Sequence, residues 1–263
     1  MLVARLGTAA VLIAGLLAAL FLLPASLLTG LVAVVIGLAA FEWGRLCRLA
    51  GRRTSGYAVL AAMLFVVAAW IGAGLQVITM GAAFWVLAAP LWLWRGVQAS
   101  HARLLAVAGL AVLVPAGLAV VSLPPAQVLT VLGLTWVADT AAYAAGRGFG
   151  RHKLAPSISP GKTWEGALGG LLGGLAYAII CAALLPSLDA ITGGLWSPYL
   201  GAAFLLCVAS IVGDLFESAA KRQAGVKDSG ALLPGHGGIL DRIDSATSTL
   251  PVAALLWTLI PAG

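Results

Sequence analysis

The sequence predicts an all-α, polytopic integral membrane protein with about nine transmembrane helices and a cytoplasm-facing polar cavity. Three observations carry this expectation. Of 263 residues, 62% are hydrophobic and only 9% charged, where a soluble domain carries about 25% charged residues. Mean hydropathy is +1.06. Apolar runs recur along the chain at roughly 18–22 residues, the length a helix needs to cross the hydrocarbon core of a bilayer.

The runs fall near residues 7–24, 27–47, 57–76, 78–95, 104–122, 127–145, 166–186, 197–217 and 244–261. A short Pro24-Ala25-Ser26 turn separates the first two, which read as a helical hairpin. Arg5 ahead of an apolar run also fits a secretory signal. The run leads directly into a second hairpin helix, so a retained first span is the preferred reading.

The 15 Lys and Arg residues set the orientation. They fall at Arg5, at Arg45 to Arg53, at Arg95 and Arg103, between Arg147 and Lys162, and between Lys221 and Arg242. With nine spans all of these lie on one side, and the opposite loops have none. The positive-inside bias then places the N-terminus and the long loops in the cytoplasm and the C-terminus outside, in a bacterial-type inner (plasma) membrane. The net charge of +6 does not point to nucleic acid, because the cations line a membrane face where anionic lipid and soluble anions are the partners. Cys47, Cys181 and Cys207 lie in or beside apolar runs without metal-binding spacing and read as packing residues.

Two regions are expected. Residues 1–125 hold N-terminal helices with plain loops, an anchor, lipid entrance and dimer scaffold. Residues 126–263 hold a C-terminal catalytic region with cytoplasmic loops at 146–165 and 218–243. Glu42 is the lone acid of the first region. It reads either as an interfacial carboxylate paired with Arg45 or Arg48, or as a site residue.

Three polar clusters carry the chemistry. In the first, Asp139 and Tyr143 are four apart and share a helix face. They lead into Gly146-Arg147-Gly148-Phe149-Gly150 and Ser159-Pro160-Gly161-Lys162-Thr163. An intramembrane carboxylate is a site candidate, and glycines let backbone N–H groups approach an anion. A plain basic loop is the alternative. The Gly-Lys-Thr triplet is not a P-loop, since Pro156 stands where that motif needs glycine.

In the second cluster, Asp214, Glu217, Ser218, Lys221 and Arg222 form one helical stripe. It is either an interior binding face or a ladder of mutual salt bridges. The third runs from Lys227-Asp228 through Pro234-Gly235-His236-Gly237-Gly238 to Asp241-Arg242 and Asp244. Here Asp214 and Asp241, from the ends of consecutive spans, can meet to hold hard cations, and the glycine turn can offer N–H groups to phosphate. His236 is either a site residue or a hydrogen-bonded structural one. Cations with spaced aspartates suit a polyphosphate and a divalent metal.

The stretch Ser218, Lys221-Arg222, Lys227-Asp228, Gly230, Pro234, His236-Gly237-Gly238, Asp241-Arg242 and Asp244 resembles the signature of phosphatidate cytidylyltransferases, or CDP-diacylglycerol synthases. The Asp139-Thr140, Tyr143, Gly146-Arg147, Ser159 to Thr163 and Gly213-Asp214 segments resemble the family too. Ala220 departs from it, at a packing position. The resemblance is close over roughly residues 130–245. It implies a membrane enzyme joining CTP and phosphatidate into CDP-diacylglycerol and pyrophosphate. It also implies a homodimer and a Mg²⁺ centre with K⁺ as second ion.

By motif position, Asp214 and Asp241 are the implied metal ligands; Asp244 is expected to complete the shell, directly or through water. Asp214, Asp241, Asp244 and Lys227 are the expected catalytic residues. Expected substrate contacts are Lys221, Arg222, Asp228, His236 and Arg242, with Arg147, Ser159, Lys162, Asp139 and Tyr143 from the other loop. A CTP-dependent lipid kinase and a secondary transporter are the competing classes. The fullness of the signature disfavours the first, and acids crowded at helix ends disfavour the second.

Overall fold

In a computed structural model, residues 2–184, 196–232 and 237–259 are described, the side chains of residues 2–6, 8 and 9 excepted. Nine helices run through these residues: α1 (Leu2–Leu22), α2 (Ala25–Leu46), α3 (Arg52–Trp70), α4 (Gly74–Arg95), α5 (Ala102–Ser122), α6 (Pro125–Phe149), α7 (Trp164–Leu184), α8 (Trp196–Ala224) and α9 (Leu240–Leu259). Seven elements, α2 to α8, are long and apolar enough to cross a membrane. In α1 the apolar stretch described is Ala10–Leu22. The start of α9 carries Asp241, Arg242 and Asp244, which removes it from that set. The all-helical membrane fold is as the composition predicts. Helix ends differ from the apolar runs where polar residues continue a helix. Thus α3 opens with Arg52 and Arg53, and α8 continues past residue 217 to Ala224.

The connection expected as a loop over residues 146–165 is built differently. Helix α6 continues to Phe149, and an antiparallel hairpin of β1 (Lys153–Ala155) and β2 (Ser159–Thr163) follows, with Lys153 opposite Thr163. Glu165 at the start of α7 folds the turn back. Its carboxylate accepts the Arg151 N–H at 3.1 Å and lies 2.6 Å from His152 Nδ1.

Helices α6 and α7 pack backbone to backbone. A Cβ on Gly169 or Gly173 would strike Ala145 or Ala141 of α6 and one on Gly170 would press on Ala138, while one on Gly174 would strike Cys207 of α8. In lipid, where apolar surface gives little drive for association, such small-residue faces let helices approach and gain dispersion contacts. This contact sets the hairpin beside α8. Helices α8 and α9 cross as tightly: a Cβ on Gly213 would meet Ser248, and Ser248 donates its hydroxyl to the Ala209 carbonyl at 2.8 Å.

The core runs without a break across residue 125. Phe216 of α8 is fully buried. It meets Trp43 of α2 and Phe84, Trp85 and Trp92 of α4 at centroid distances of 5.5–6.3 Å. Phe84–Ala88 is a π turn just before Pro90, where a missing N–H and the proline ring disfavour a regular turn. Trp43 and Tyr57 donate to the Leu105 and Ala106 carbonyls at 2.7 and 2.6 Å, fixing α2 and α3 to α5. Cys47, Cys181 and Cys207 are buried free thiols in the packing.

Candidate active site

From Arg45 onward, the cations lie at the C-terminal ends of even-numbered helices, at the N-terminal ends of odd-numbered ones, or in the connections between them. An up-and-down chain therefore gathers them at one end of the bundle. At that end a cavity of about 520 Å³ opens between α6, the hairpin, α7 and α8. Asp139, Tyr143, Arg147, Ser159, Lys162 and Asp214 line it. The expected common face of Asp139 and Tyr143 is present, and both open onto this space.

Lys162 and Asp214 face each other across the cavity wall, Nζ to Oδ2 at 2.5 Å, each about a quarter to a third exposed. The other Asp214 oxygen accepts the Ser218 hydroxyl at 3.2 Å. Arg147 donates to the Tyr143 hydroxyl at 3.0 Å, one turn back on its own helix. Gly146 and Gly150 lie against Thr163, so close packing explains these two glycines; Gly148 and Gly161 have open space before them.

A second polar cluster lies behind this wall and is buried. Lys221 Nζ sits 3.0 Å from Glu217 Oε1 and 2.7 Å from Asp241 Oδ1. Asp241 Oδ2 accepts the Ser229 N–H at 3.0 Å and the Gly238 N–H at 2.9 Å, and lies 3.0 Å from the Ser229 hydroxyl, whose one proton it shares with Glu42. The stripe on α8 thus divides. Asp214 faces the cavity, whereas Glu217 and Lys221 form the internal salt bridge that its spacing allowed.

Arg222 is exposed and donates to the Ile158 carbonyl at 3.1 Å and the Val226 carbonyl at 3.2 Å, which ties the β hairpin to the connection after α8. Lys227, Asp228 and Arg242 are exposed at the same end. His236, with Leu233, Pro234 and Gly235, lies outside the described residues.

The glycine turn differs from expectation in part. The Gly238 N–H is held by Asp241, and the next two, of Ile239 and Leu240, are held by Glu42 at 3.1 and 2.9 Å. These groups are directed at carboxylates and are not open to a phosphate. Glu42 itself is buried, with its described partners on the α8–α9 connection, and it does not form the expected interfacial pair with Arg45 or Arg48. Hydropathy hides this contact, because it joins residues nearly 200 positions apart. The only sequence signal was a carboxylate inside an apolar run.

The donors suit a hard cation. Asp139, Asp214 and Asp244 come from three helices and lie within each other's electrostatic reach, and carboxylate oxygens are the ligands such ions take. Lysine ammonium groups already stand beside Asp214 and Asp241, which marks both carboxylates as places where positive charge is needed. Among the described residues, no three acidic, His or Cys side chains are grouped tightly enough to hold one ion. Asp241 would join a metal only by exchanging Lys221 for it.

A cation-rich, carboxylate-lined cavity at one end of a bundle of membrane helices is suited to phosphorylated substrates presented beside lipid. Residues 3–260 match the model of the Cytidylyltransferase family, and the chain belongs to that family. It is 42% identical to the phosphatidate cytidylyltransferase of Pseudomonas aeruginosa over 98% of this chain and 97% of that one. It is also 48% identical to the phosphatidate cytidylyltransferase of Haemophilus influenzae over 47% of this chain and 42% of that protein. With the enzyme of that name from Thermotoga maritima it shares 41% identity, over 51% of this chain and 50% of that one.

Proposed function

We propose that this protein transfers the cytidylyl group of CTP to phosphatidate, releasing pyrophosphate and leaving CDP-diacylglycerol in the membrane. The observation that carries the reading is the Lys162–Asp214 wall of the cavity, in a chain that aligns almost end to end with a phosphatidate cytidylyltransferase.

The nucleophile, a phosphate oxygen of the lipid, is already an anion and needs no strong base. It attacks the α-phosphorus of CTP, a new P–O bond forms, and the bond from the α-phosphorus to the bridging oxygen breaks as pyrophosphate leaves. The difficulty is repulsion between two polyanions, so catalysis is positioning and charge neutralisation.

Lys162 and Arg147 line the cavity and face a phosphate that enters it. The phosphate competes with Asp214 for Lys162, and the freed carboxylate then demands another cation. By motif position Asp214, with Asp244 and with Asp241 once it has exchanged Lys221 for the metal, would hold Mg²⁺, with K⁺ as second ion; a bound metal would supply Lewis-acid neutralisation of phosphate charge. Ser159, Tyr143 and Asp139 shape the cavity. Lys227 and Arg242, exposed at the same end, extend its positive charge toward the nucleotide, and Arg222 holds the hairpin in place; Asp228 and His236 are substrate contacts by motif position. Until a metal takes its place, Lys221 neutralises Asp241 from behind the cavity wall.

The cation distribution supports a cytoplasmic active site with the N-terminus inside and the C-terminus outside. A homodimer, with residues 1–125 as scaffold, completes the proposal.

The test is transfer of label from α-labelled CTP into phosphatidate by the purified protein in detergent, with and without Mg²⁺. Metal-dependent appearance of labelled lipid is expected. Folded protein that binds CTP yet labels no lipid would overturn the reading, and γ-labelled CTP with lipid alcohols would then expose a kinase.

A further inference from the structure

We infer that Glu42, on the second helix, is a positioning residue for the transfer reaction: its buried carboxylate clamps Ser229 and the first turn of α9 and thereby fixes Asp241. The inference rests on the cytidylyl-transfer reading.

Glu42 is 1% exposed. A buried carboxylate is unfavourable unless its oxygens are satisfied, and here three donors from one short segment do so. The Ser229 hydroxyl reaches Oε2 at 2.9 Å, the Ile239 N–H reaches Oε1 at 3.1 Å and the Leu240 N–H reaches Oε2 at 2.9 Å. The last two are unsatisfied donors at the start of α9, where a negative charge is favoured. Glu42 thus caps a helix from a distant part of the chain.

The contact is continuous with the site. Consecutive N–H groups are shared between two acids, Gly238 serving Asp241 and Ile239 and Leu240 serving Glu42. The Ser229 hydroxyl lies between the same two carboxylates, 2.9 Å from Glu42 and 3.0 Å from Asp241. It has one proton, so the charge on Glu42 bears directly on how Asp241 is held. Gly230 and Gly238 are explained by the same group, since a Cβ on either would collide with the Glu42 carboxylate.

The end of α2 is anchored for this task. Trp43 stacks on Phe216 at 6.3 Å, and Gln223 of α8 donates to the Leu46 carbonyl at 2.7 Å. The N-terminal half therefore supplies part of the active site's frame.

The experiment uses full-length protein in detergent, with Glu42→Gln, Ser229→Ala and the double variant. The amide of Gln keeps the shape but turns an NH₂ toward N–H donors. Turnover per folded molecule, measured with α-labelled CTP and phosphatidate, is expected to fall about 10–100-fold in Glu42→Gln, the range typical for groups that orient metal and substrate ligands. The double variant should lose much less than the product of the two single losses, as partners in one network do. In metal-free protein, amide exchange over residues 237–241 should accelerate in Glu42→Gln.

A merely structural role would lower yield and thermal midpoint and leave turnover per folded molecule unchanged. That outcome, multiplicative losses or unaltered exchange would each overturn the inference. Should Glu42→Gln fail to fold, Ser229→Ala alone decides: a several-fold loss of turnover is expected, and wild-type turnover overturns the proposal. Wild-type protein that transfers no label would mean that the functional reading has failed; an active wild type with an equally active Glu42→Gln means that only this inference has.

Discussion

Helix α8 presents two lysine–carboxylate clusters that share their chemistry and differ in burial. At Asp214 the pair with Lys162 is single, and its side chains are 31% and 25% exposed. One and two turns further on, Glu217 and Lys221 are 4% and 11% exposed, and Lys221 reaches across to an Asp241 that two backbone N–H groups and the shared Ser229 hydroxyl also hold. A partly hydrated ion pair contributes about 1 kcal/mol or less, so a phosphate or a metal can displace it. A buried network is costly to open, because each partner removed leaves an uncompensated charge. The difference separates a place where ligands exchange from the frame that holds it.

The largest expected effect breaks the frame. Lys221→Met leaves Glu217 and Asp241 buried without their cation and should destabilise the protein by about 3–5 kcal/mol, read as a lowered thermal midpoint in detergent. A variant as stable as wild type would show that the buried cluster is not structural.

The next effect is confined to the open pair. Asp214→Asn should lower turnover by about 10²–10³-fold, the range for losing one electrostatic group at a reacting centre, while thermal stability stays close to that of wild type. Near-wild-type turnover would remove Asp214 from the chemistry. A large stability loss without a catalytic one would invert the comparison.

How far the sequence revealed this division depends on the range of each contact. Runs of apolar residues and the placement of cations are local patterns, and they located the helices and the charged end of the bundle. Motif spacing placed Asp139 and Tyr143 on one face, and Asp214 and Lys221 on one stripe. Spacing on a helix does not say which of two residues one or two turns apart turns inward, and Lys221 turned inward. The β hairpin was hidden because Lys153–Ala155 and Ser159–Thr163 are too short for a period-two pattern to register. Glu42 stood out as a carboxylate in an apolar run, with a site role as one of its two readings, but its partners were hidden: the Ser229 hydroxyl and the backbone N–H groups of residues 239 and 240 lie nearly 200 positions away, and backbone groups leave no trace in side-chain chemistry.

Lys162→Ala sharpens the comparison from the cation's side. A hydrogen bond to a charged group contributes about 1.5–3 kcal/mol, so kcat/KM for CTP should fall roughly 10–150-fold. The same change leaves Asp214 without its ammonium partner, so more of the Mg²⁺ titration should be complete at low metal concentration. A fall in kcat/KM with an unshifted metal titration would separate Lys162 from the Asp214 site.

The smallest effect is expected at the rim. Lys227 is exposed on the connection after α8, in water rather than in the buried cluster or the cavity wall, and there a charge contributes about 1 kcal/mol or less. Lys227→Ala should therefore raise the KM for CTP by no more than about five-fold and leave kcat unchanged. Because an exposed charge is screened by salt, the difference from wild type should shrink between low and physiological ionic strength, whereas the Asp214→Asn defect should not. A kcat loss in Lys227→Ala comparable to that of Asp214→Asn would place the rim lysine on the reacting phosphates. The loop that carries it would then have to close over the cavity when CTP binds.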